Sequence, residues 1–251
     1  MGAAAGPTNS WINKSSENSL NGLVTDGLVL ALDAGRTLSY SGSGTAWTDL
    51  SGNSNNVTLT NGPTFSSDNF GAIVFDGTNH YAVTSTSITP SGTNSFTYSA
   101  WIYIDTVGGS FGTNIKAAVL FSGDASGRTE LTLKTDTNTA GPPDRISFSR
   151  YGGNTAGSCD VEVNMSVGVW YNITLVRDGA SSQKVYQNGV EIGTGNVSTS
   201  FSAAKMKIGG APSQSNYSGH FDGKMSNILY YNKALTAAEV LQNYNALKGR
   251  Y

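Results

Sequence analysis

The closing stretch FDGKMSNILYYNKALTAAEVLQNYNALKGRY, from Phe221 to Tyr251, decides the fold. Phe221 to Tyr231 predicts a strand, and after a short break the rest predicts one amphipathic helix. Thr236 is a natural N-cap. Glu239 three residues later completes a capping box, in which each side chain satisfies the other residue's free amide. Leu235 just before the cap can pack on Val240 as a hydrophobic staple. Val240, Leu241, Tyr244 and Leu247 share one face of a 3.6-residue period, and Gly249 follows as a stop. No other segment carries so complete a helix signal, and everything upstream predicts strands and turns.

Strand candidates follow one another closely. Leu28-Val29-Leu30-Ala31-Leu32 is a continuous apolar run suited to a buried strand. Residues 72–75 and 81–83 flank the turn Asp76-Gly77-Thr78-Asn79 as a hairpin. Over 96–104, Phe96, Tyr98, Ala100, Ile102 and Ile104 alternate with Thr97, Ser99, Trp101 and Tyr103, so one face of a long central strand is apolar. Further strands are predicted at 117–121, 130–134, 145–150, 161–165, 170–177, 183–187 and 204–208. Asn188-Gly189, set between Val185-Tyr186 and Val190-Glu191-Ile192, is the strongest two-residue hairpin signal. Many short strands and one late helix specify an all-β chain, a two-sheet antiparallel jelly-roll sandwich with one short C-terminal helix. Residues 1–21 lack periodicity and read as a polar N-terminal arm; residues 22–251 read as one domain. Trp11 and Ile12 are the arm's strong apolar pair. They suit either a disordered terminus or a tether that docks on a partner subunit.

Composition narrows the function classes. With 31 glycines and only 13% charged residues, the 251-residue chain fits many short strands joined by turns. It is long enough to bury a core without a metal or disulfide. A net charge of −2 with singly scattered lysines and arginines excludes a nucleic-acid footprint. Cys159 is the one cysteine, so no intramolecular disulfide can form. No apolar run approaches membrane-spanning length, so no membrane insertion is expected. The start, Met1-Gly2-Ala3-Ala4-Ala5-Gly6-Pro7, lacks a secretory signal pattern, which predicts synthesis in a cytoplasm.

Several segments, in order, resemble the laminin-G-like (concanavalin A-like) jelly-roll family. They are Gly27-Leu28-Val29-Leu30-Ala31-Leu32-Asp33-Ala34-Gly35, Trp47-Thr48-Asp49-Leu50-Ser51-Gly52-Asn53, Ile73-Val74-Phe75-Asp76-Gly77 with Tyr81, and Phe96 to Ile102. Trp170-Tyr171-Asn172-Ile173-Thr174, Tyr186-Gln187-Asn188-Gly189, Lys207-Ile208-Gly209-Gly210 and the closing run complete the set. The Asp33-Ala34-Gly35 piece and residues 241–250 look most like copies in structural proteins of tailed phages. Where the family often carries acids beside the tyrosine and in the last strand, this chain has Asn79 and His80, and Ser226 and Asn227. That weakens any calcium site the resemblance implies.

Each candidate site residue has a competing structural reading. Asp160 and Glu162, two apart on a strand, share a face as a glycosidase pair would, or as an exposed polar edge. The three-acid glucanase pattern is incomplete, since Ser158 and Asn164 fill the outer slots. His80 and His220 lack a nucleophile elbow. Cys159 reads as a buried or inert thiol. Asp49 with Asn53, and Asp76, offer calcium the oxygen ligands it takes, unless these side chains cap their own turns. Calcium aside, no cofactor is expected. Glycan binding needs an aromatic platform with amide and hydroxyl groups nearby, for which Tyr151, Tyr217, Tyr81, Trp47 and His80 are the candidates. Trp170, opening an apolar strand, reads as core.

The resulting expectation is a non-enzymatic phage virion surface protein, a capsid decoration or head fibre. Its N-terminal arm docks on other virion proteins, and its jelly roll binds cell-surface glycans or simply projects. Exposed strand edges leave room for a homo-oligomer. The alternatives are a tail adhesin, a stand-alone carbohydrate-binding lectin and, behind these, a glucanase-like hydrolase.

Overall fold

The computed structural model describes residues 20–107, 116–123, 129–135, 142–150, 159–198, 200–210 and 219–251. The strands run in chain order as β1 (Leu28–Asp33), β2 (Ala46–Trp47), β3 (Val57–Thr60), β4 (Thr64–Ser66), β5 (Ala72–Asp76), β6 (Tyr81–Ser87), β7 (Phe96–Thr106) and β8 (Lys116–Gly123). They continue as β9 (Thr129–Thr135), β10 (Arg145–Arg150), β11 (Cys159–Glu162), β12 (Trp170–Asp178), β13 (Ser182–Gln187), β14 (Val190–Gly195), β15 (Lys205–Ile208) and β16 (Asp222–Tyr231), before helix α1 (Ala237–Leu247). Sheet A has the order β14-β13-β12-β7-β16-β5-β4 with β1 also on β16, and sheet B the order β11-β10-β9-β8-β15-β6-β3-β2. The pairings are antiparallel, and the two sheets make the predicted jelly-roll sandwich. Strands β2, β3 and β4 lie outside the predicted set; they are two to four residues long, and only Val57-Thr58-Leu59-Thr60 of β3 alternates.

β16 is the strand that organises sheet A. Its first half, Asp222–Met225, pairs with β5, and its second half, Asn227–Tyr231, pairs with β1 on the same side, opposite β7. Ser226 sits at the changeover, fully buried, and its hydroxyl donates to Gly71 O at 2.6 Å. On β7, Phe96, Tyr98, Ala100, Ile102 and Ile104 point into the core as their alternation predicts. At the β13–β14 turn, Asn188 and Gly189 have φ of 53° and 79°, the two positive values a type I′ hairpin requires.

The opposite face of sheet A is buried too, against α1 and residues 23–28. Leu23, Val24, Leu28, Trp101, Val176, Tyr186, Leu229, Tyr231, Leu235, Val240 and Leu247 form this second apolar cluster. The capping box is present in full, with Thr236 Oγ1 accepting from Glu239 N and Glu239 Oε2 from Thr236 N. The helix is rotated from the predicted stripe. Val240, Asn243 and Leu247 are buried, while Leu241 is 44% exposed and leans on the hairpin turn at Gly189. Asn243 earns burial by its hydrogen bonds, accepting from Val24 N at 2.8 Å and donating to the Tyr231 hydroxyl at 3.0 Å. Gly249 lies inside a closing 3-10 turn rather than capping the helix. Tyr251 stacks on Trp101 with ring centroids 4.1 Å apart, and Arg250 grips Asp33 with two hydrogen bonds of 2.7 Å.

At the other end of the sheet order, the edge strands β14 and β11 close the sandwich. A Cβ at Gly193 would run into Val161, and one at Gly195 into Cys159, so only glycine lets these edges meet. Cys159 is fully buried there, and burial, with Asp160 nearby, pushes its thiol pKa up to about 11. No described helix is long and apolar enough to cross a membrane.

Candidate functional site

The outer face of sheet B is polar where that of sheet A is apolar. Alternation turns Leu131, Leu133, Ile146 and Phe148 into the core and Glu130, Thr132, Lys134, Arg145, Ser147 and Ser149 to the other face, where Glu130, Thr132 and Ser147 are themselves buried. Register sets Lys134, Arg145 and Glu162 in one cross-strand row and Thr132, Ser147 and Asp160 in the next. Lys134 Nζ donates to Ser147 Oγ at 2.8 Å and lies 3.8 Å from the Asp160 carboxylate. Asp160 and Glu162 therefore share a face on the edge strand β11, as their spacing predicts. The same geometry ties Asp160 to a lysine across the sheet.

Toward β6 and β15 the face changes to a ring with mixed donors around it. Tyr81 is half-buried, and Lys207 Nζ sits 4.6 Å from its ring centroid, a cation–π distance. The adjoining turn is built on Asp76, whose Oδ1 accepts the amides of Thr78, Asn79 and His80 at 2.9, 3.2 and 3.2 Å. Asp76 Oδ2 lies 3.4 Å from His80 Nε2. His220 Nδ1 is 3.3 Å from the His80 carbonyl. A Cβ at Gly210 would fall 2.7 Å from Tyr81 Cβ and 3.0 Å from His220 Nδ1, so glycine makes the room in which these two pack. Asp222 faces Asp76 across the β5–β16 pair.

The electrostatics of this cluster follow from burial and neighbours. Burial alone would raise the Asp76 pKa, but the amides of Thr78, His80 and Asn79 hold it below the usual carboxylate value. Burial lowers the His220 pKa, opposed in part by the His80 carbonyl and Asp76. Asp222 is raised, by burial first and then by Asp105 and Asp76. The arrangement can accept and donate hydrogen bonds around an aromatic ring. Among the described residues no three His, Cys, Asp or Glu side chains gather where they could hold a metal ion.

Several sequence candidates land elsewhere. Trp47 is fully buried in the main core, so its ring cannot serve as a platform. The polar neighbours of Trp47 hid this, because β2 is too short to show which face is inward. Asp49 accepts Ala31 N and Ser51 N on Oδ1, and Ser51 Oγ and Asn55 N on Oδ2, at 2.7–3.0 Å. Asn53 turns its amide to Leu28 O, Val29 O and Ser51 Oγ. Both residues brace the loop after β2, the turn-capping alternative to calcium. Trp170 is not core. It is half-buried on the outer face of sheet A, 5.6 Å from the Tyr103 ring and 4.9 Å from Tyr251. Tyr151, Tyr217, Trp11 and Ile12 lie outside the described residues. Lys207 and Asp222 carry no local signal, since only sheet register brings them to Tyr81 and Asp76.

The fold has wide company. The binding domain of Paraclostridial Mosquitocidal Protein 1 aligns with a TM-score of 0.61 at 16% identity, over 88% of this chain and 52% of that one. A Trypanosoma rangeli sialidase aligns with a TM-score of 0.61 at 19% identity, over 91% and 34%. Domain 4 of AbnA, an extracellular arabinanase from Geobacillus stearothermophilus solved with arabinotriose, aligns with a TM-score of 0.59 at 19% identity, over 86% and 98%. The chain thus spans about half of the mosquitocidal binding domain and a third of the sialidase, and matches the arabinanase domain nearly end to end. No curated protein matches it. Residues 75–241, from the end of β5 into α1, match the model of one family, and with that match over more than half its length the chain belongs to the concanavalin A-like lectin/glucanases superfamily.

Proposed function

We propose that the chain is a non-enzymatic glycan-binding module whose ligand face is the outer surface of sheet B around Tyr81. The observation that carries this reading is the Tyr81 ring, half-buried beside Lys207, His80 and His220. A sugar needs such a mixture, because its C–H face stacks on a ring while its hydroxyls exchange hydrogen bonds with the rim. The neighbours support it by name, one being a binding domain and another a domain in complex with arabinotriose. A hydrolase built on Asp160 and Glu162 is disfavoured by the Lys134 contact, and wild-type protein is expected to leave β-glucans uncut. The test is a glycan array probed with wild type and Tyr81→Ala. Binding to one glycan class that Tyr81→Ala abolishes supports the reading, and silence across the array ends it.

The setting we propose is the surface of a phage particle, with residues 1–21 docking the module on other virion proteins as a capsid decoration or head fibre. The likeness of Asp33-Ala34-Gly35 and residues 241–250 to phage structural proteins supports it. Removing residues 1–21 should abolish incorporation into particles and leave the remaining domain folded; unchanged incorporation rules out the tether.

A further inference from the structure

The helix does not cover all of sheet A. Beyond Trp101, the register of β16, β7 and β12 sets Lys224, Tyr103 and Trp170 in one outward row. Tyr103 and Trp170 are half-buried, with centroids 5.6 Å apart and ring planes inclined at 57°. Trp170 adjoins Tyr251, which is itself stacked on Trp101, so the ring is held against the second apolar cluster. Lys224 Nζ lies 4.8 Å from the Tyr103 centroid and 3.5 Å from Asp68. Two residues along β7 stands exposed Asp105, on the same face as Tyr103 by alternation. Asp222 and, across the β5–β16 pair, Asp76 adjoin it closely enough for both Asp105 and Asp76 to act on the Asp222 carboxyl.

Held rings beside carboxylate acceptors suit one kind of guest. The rings offer a flat apolar surface to the C–H face of a sugar, and ionised carboxylates are the strongest acceptors for its hydroxyls. Charge decides among sugars. Asp105 and Asp222, with Asp76 behind them already engaged by His80 and three amides, face the cation Lys224, which also pairs with Asp68, so an acidic sugar meets like charge at the rim and a neutral one does not. We propose that the end of sheet A beyond the helix is a binding ledge for neutral pyranoses, with Trp170 and Tyr103 under the ring and Asp105 and Asp222 at its hydroxyls. The inference rests on the reading of the domain as a glycan binder but not on the Tyr81 ring, which the ledge adjoins through Asp76 and Asp222.

The test titrates the full chain by calorimetry with cellohexaose, maltohexaose and mannohexaose, using hexagalacturonate as the acidic counterpart. At least one neutral sugar is expected to bind. Asp105→Asn, an exposed and conservative change, should weaken it about tenfold, the scale of one charge-assisted hydrogen bond. Trp170→Ala should weaken it further, and Val190→Ser, an exposed change on the edge strand β14, should leave it unchanged. Failure of all three neutral sugars to bind, or equal affinity in Asp105→Asn and wild type, overturns the ledge. If Tyr81→Ala alone removes binding, the ledge fails and the glycan reading stands. If neither neutral nor acidic sugars bind, both fail.

Discussion

Gly195→Ala tests how the sandwich is closed. The added Cβ would lie 2.5 Å from Cys159 Sγ and 2.7 Å from its Cα, while carbon atoms rest at about 3.5–4.0 Å. β14 and β11 must therefore separate by about an ångström, because one of the clashing atoms is backbone and cannot rotate away. Overpacking of this kind costs roughly 1–3 kcal/mol, and the lost freedom of the unfolded chain offsets about 0.4–1 kcal/mol of it. The net is a destabilisation of about 1–2 kcal/mol, or roughly 2–8 °C in melting temperature for a chain this long. Cys159 reports on the same event, being fully buried with its thiol pKa at about 11 and so protected in the native state. Guanidinium denaturation with a thiol reagent added to native protein reads both effects. Gly195→Ala should melt earlier and expose the thiol, whereas Gly249→Ala, which meets nothing within 4 Å, should do neither. A Gly195→Ala protein as stable as wild type, with its thiol still protected, would refute the close-approach argument.

Other sites give further expectations. Arg250→Ala removes both 2.7 Å bonds to Asp33, a nearly buried carboxylate, and should cost about 3 kcal/mol in denaturant, with Arg250→Lys restoring only part; stability equal to wild type would show that Gly35 N and Arg36 suffice for Asp33. Asp49→Ala strips acceptors from the amides of Ala31, Ser51 and Asn55 and should cost about 2–4 kcal/mol. Millimolar calcium should not move the wild-type melting temperature, and a rise that Asp49→Ala abolishes would put a cation in that loop. His220 has its pKa lowered in the folded state, so the unfolded chain takes up the proton first as pH falls below 6.5. Stability should then decline from pH 7 toward the lower folded pKa and level off beneath it. His220→Gln should flatten that decline in a urea titration, and an unchanged slope would assign it to another group.

Legibility followed the range of the interactions. The capping box at Thr236 and Glu239 and the turn at Asn188-Gly189 are closed by residues within a few positions, so the sequence displays them whole. The inward face of β7 was legible because only that face is uniformly apolar. The outward face of sheet A was not, since α1 buries Thr97, Ser99 and Trp101 as well, and burial on both sides erases the alternation that would have placed Trp170. Leu241 and Asn243 traded places for a similar reason. An asparagine that bonds Val24 N and Tyr231 is as good a core residue as leucine, and nothing local announces those partners. The candidate site was half legible. Tyr81, His80 and Asp76 stand together in the sequence, but Lys207, His220 and Asp222 reach them only through pairings more than a hundred residues apart.

The packing of Leu20, Leu23 and Val24 against α1 also gives the molecule a direction. The chain enters the described fold on the helix side of sheet A, while Tyr81 looks out from sheet B, and stacked sheets stand about 10 Å apart. A partner that grips residues 20–24 therefore holds the sandwich from its sheet A side. The Tyr81 face lies on the side of the sandwich away from residues 20–24.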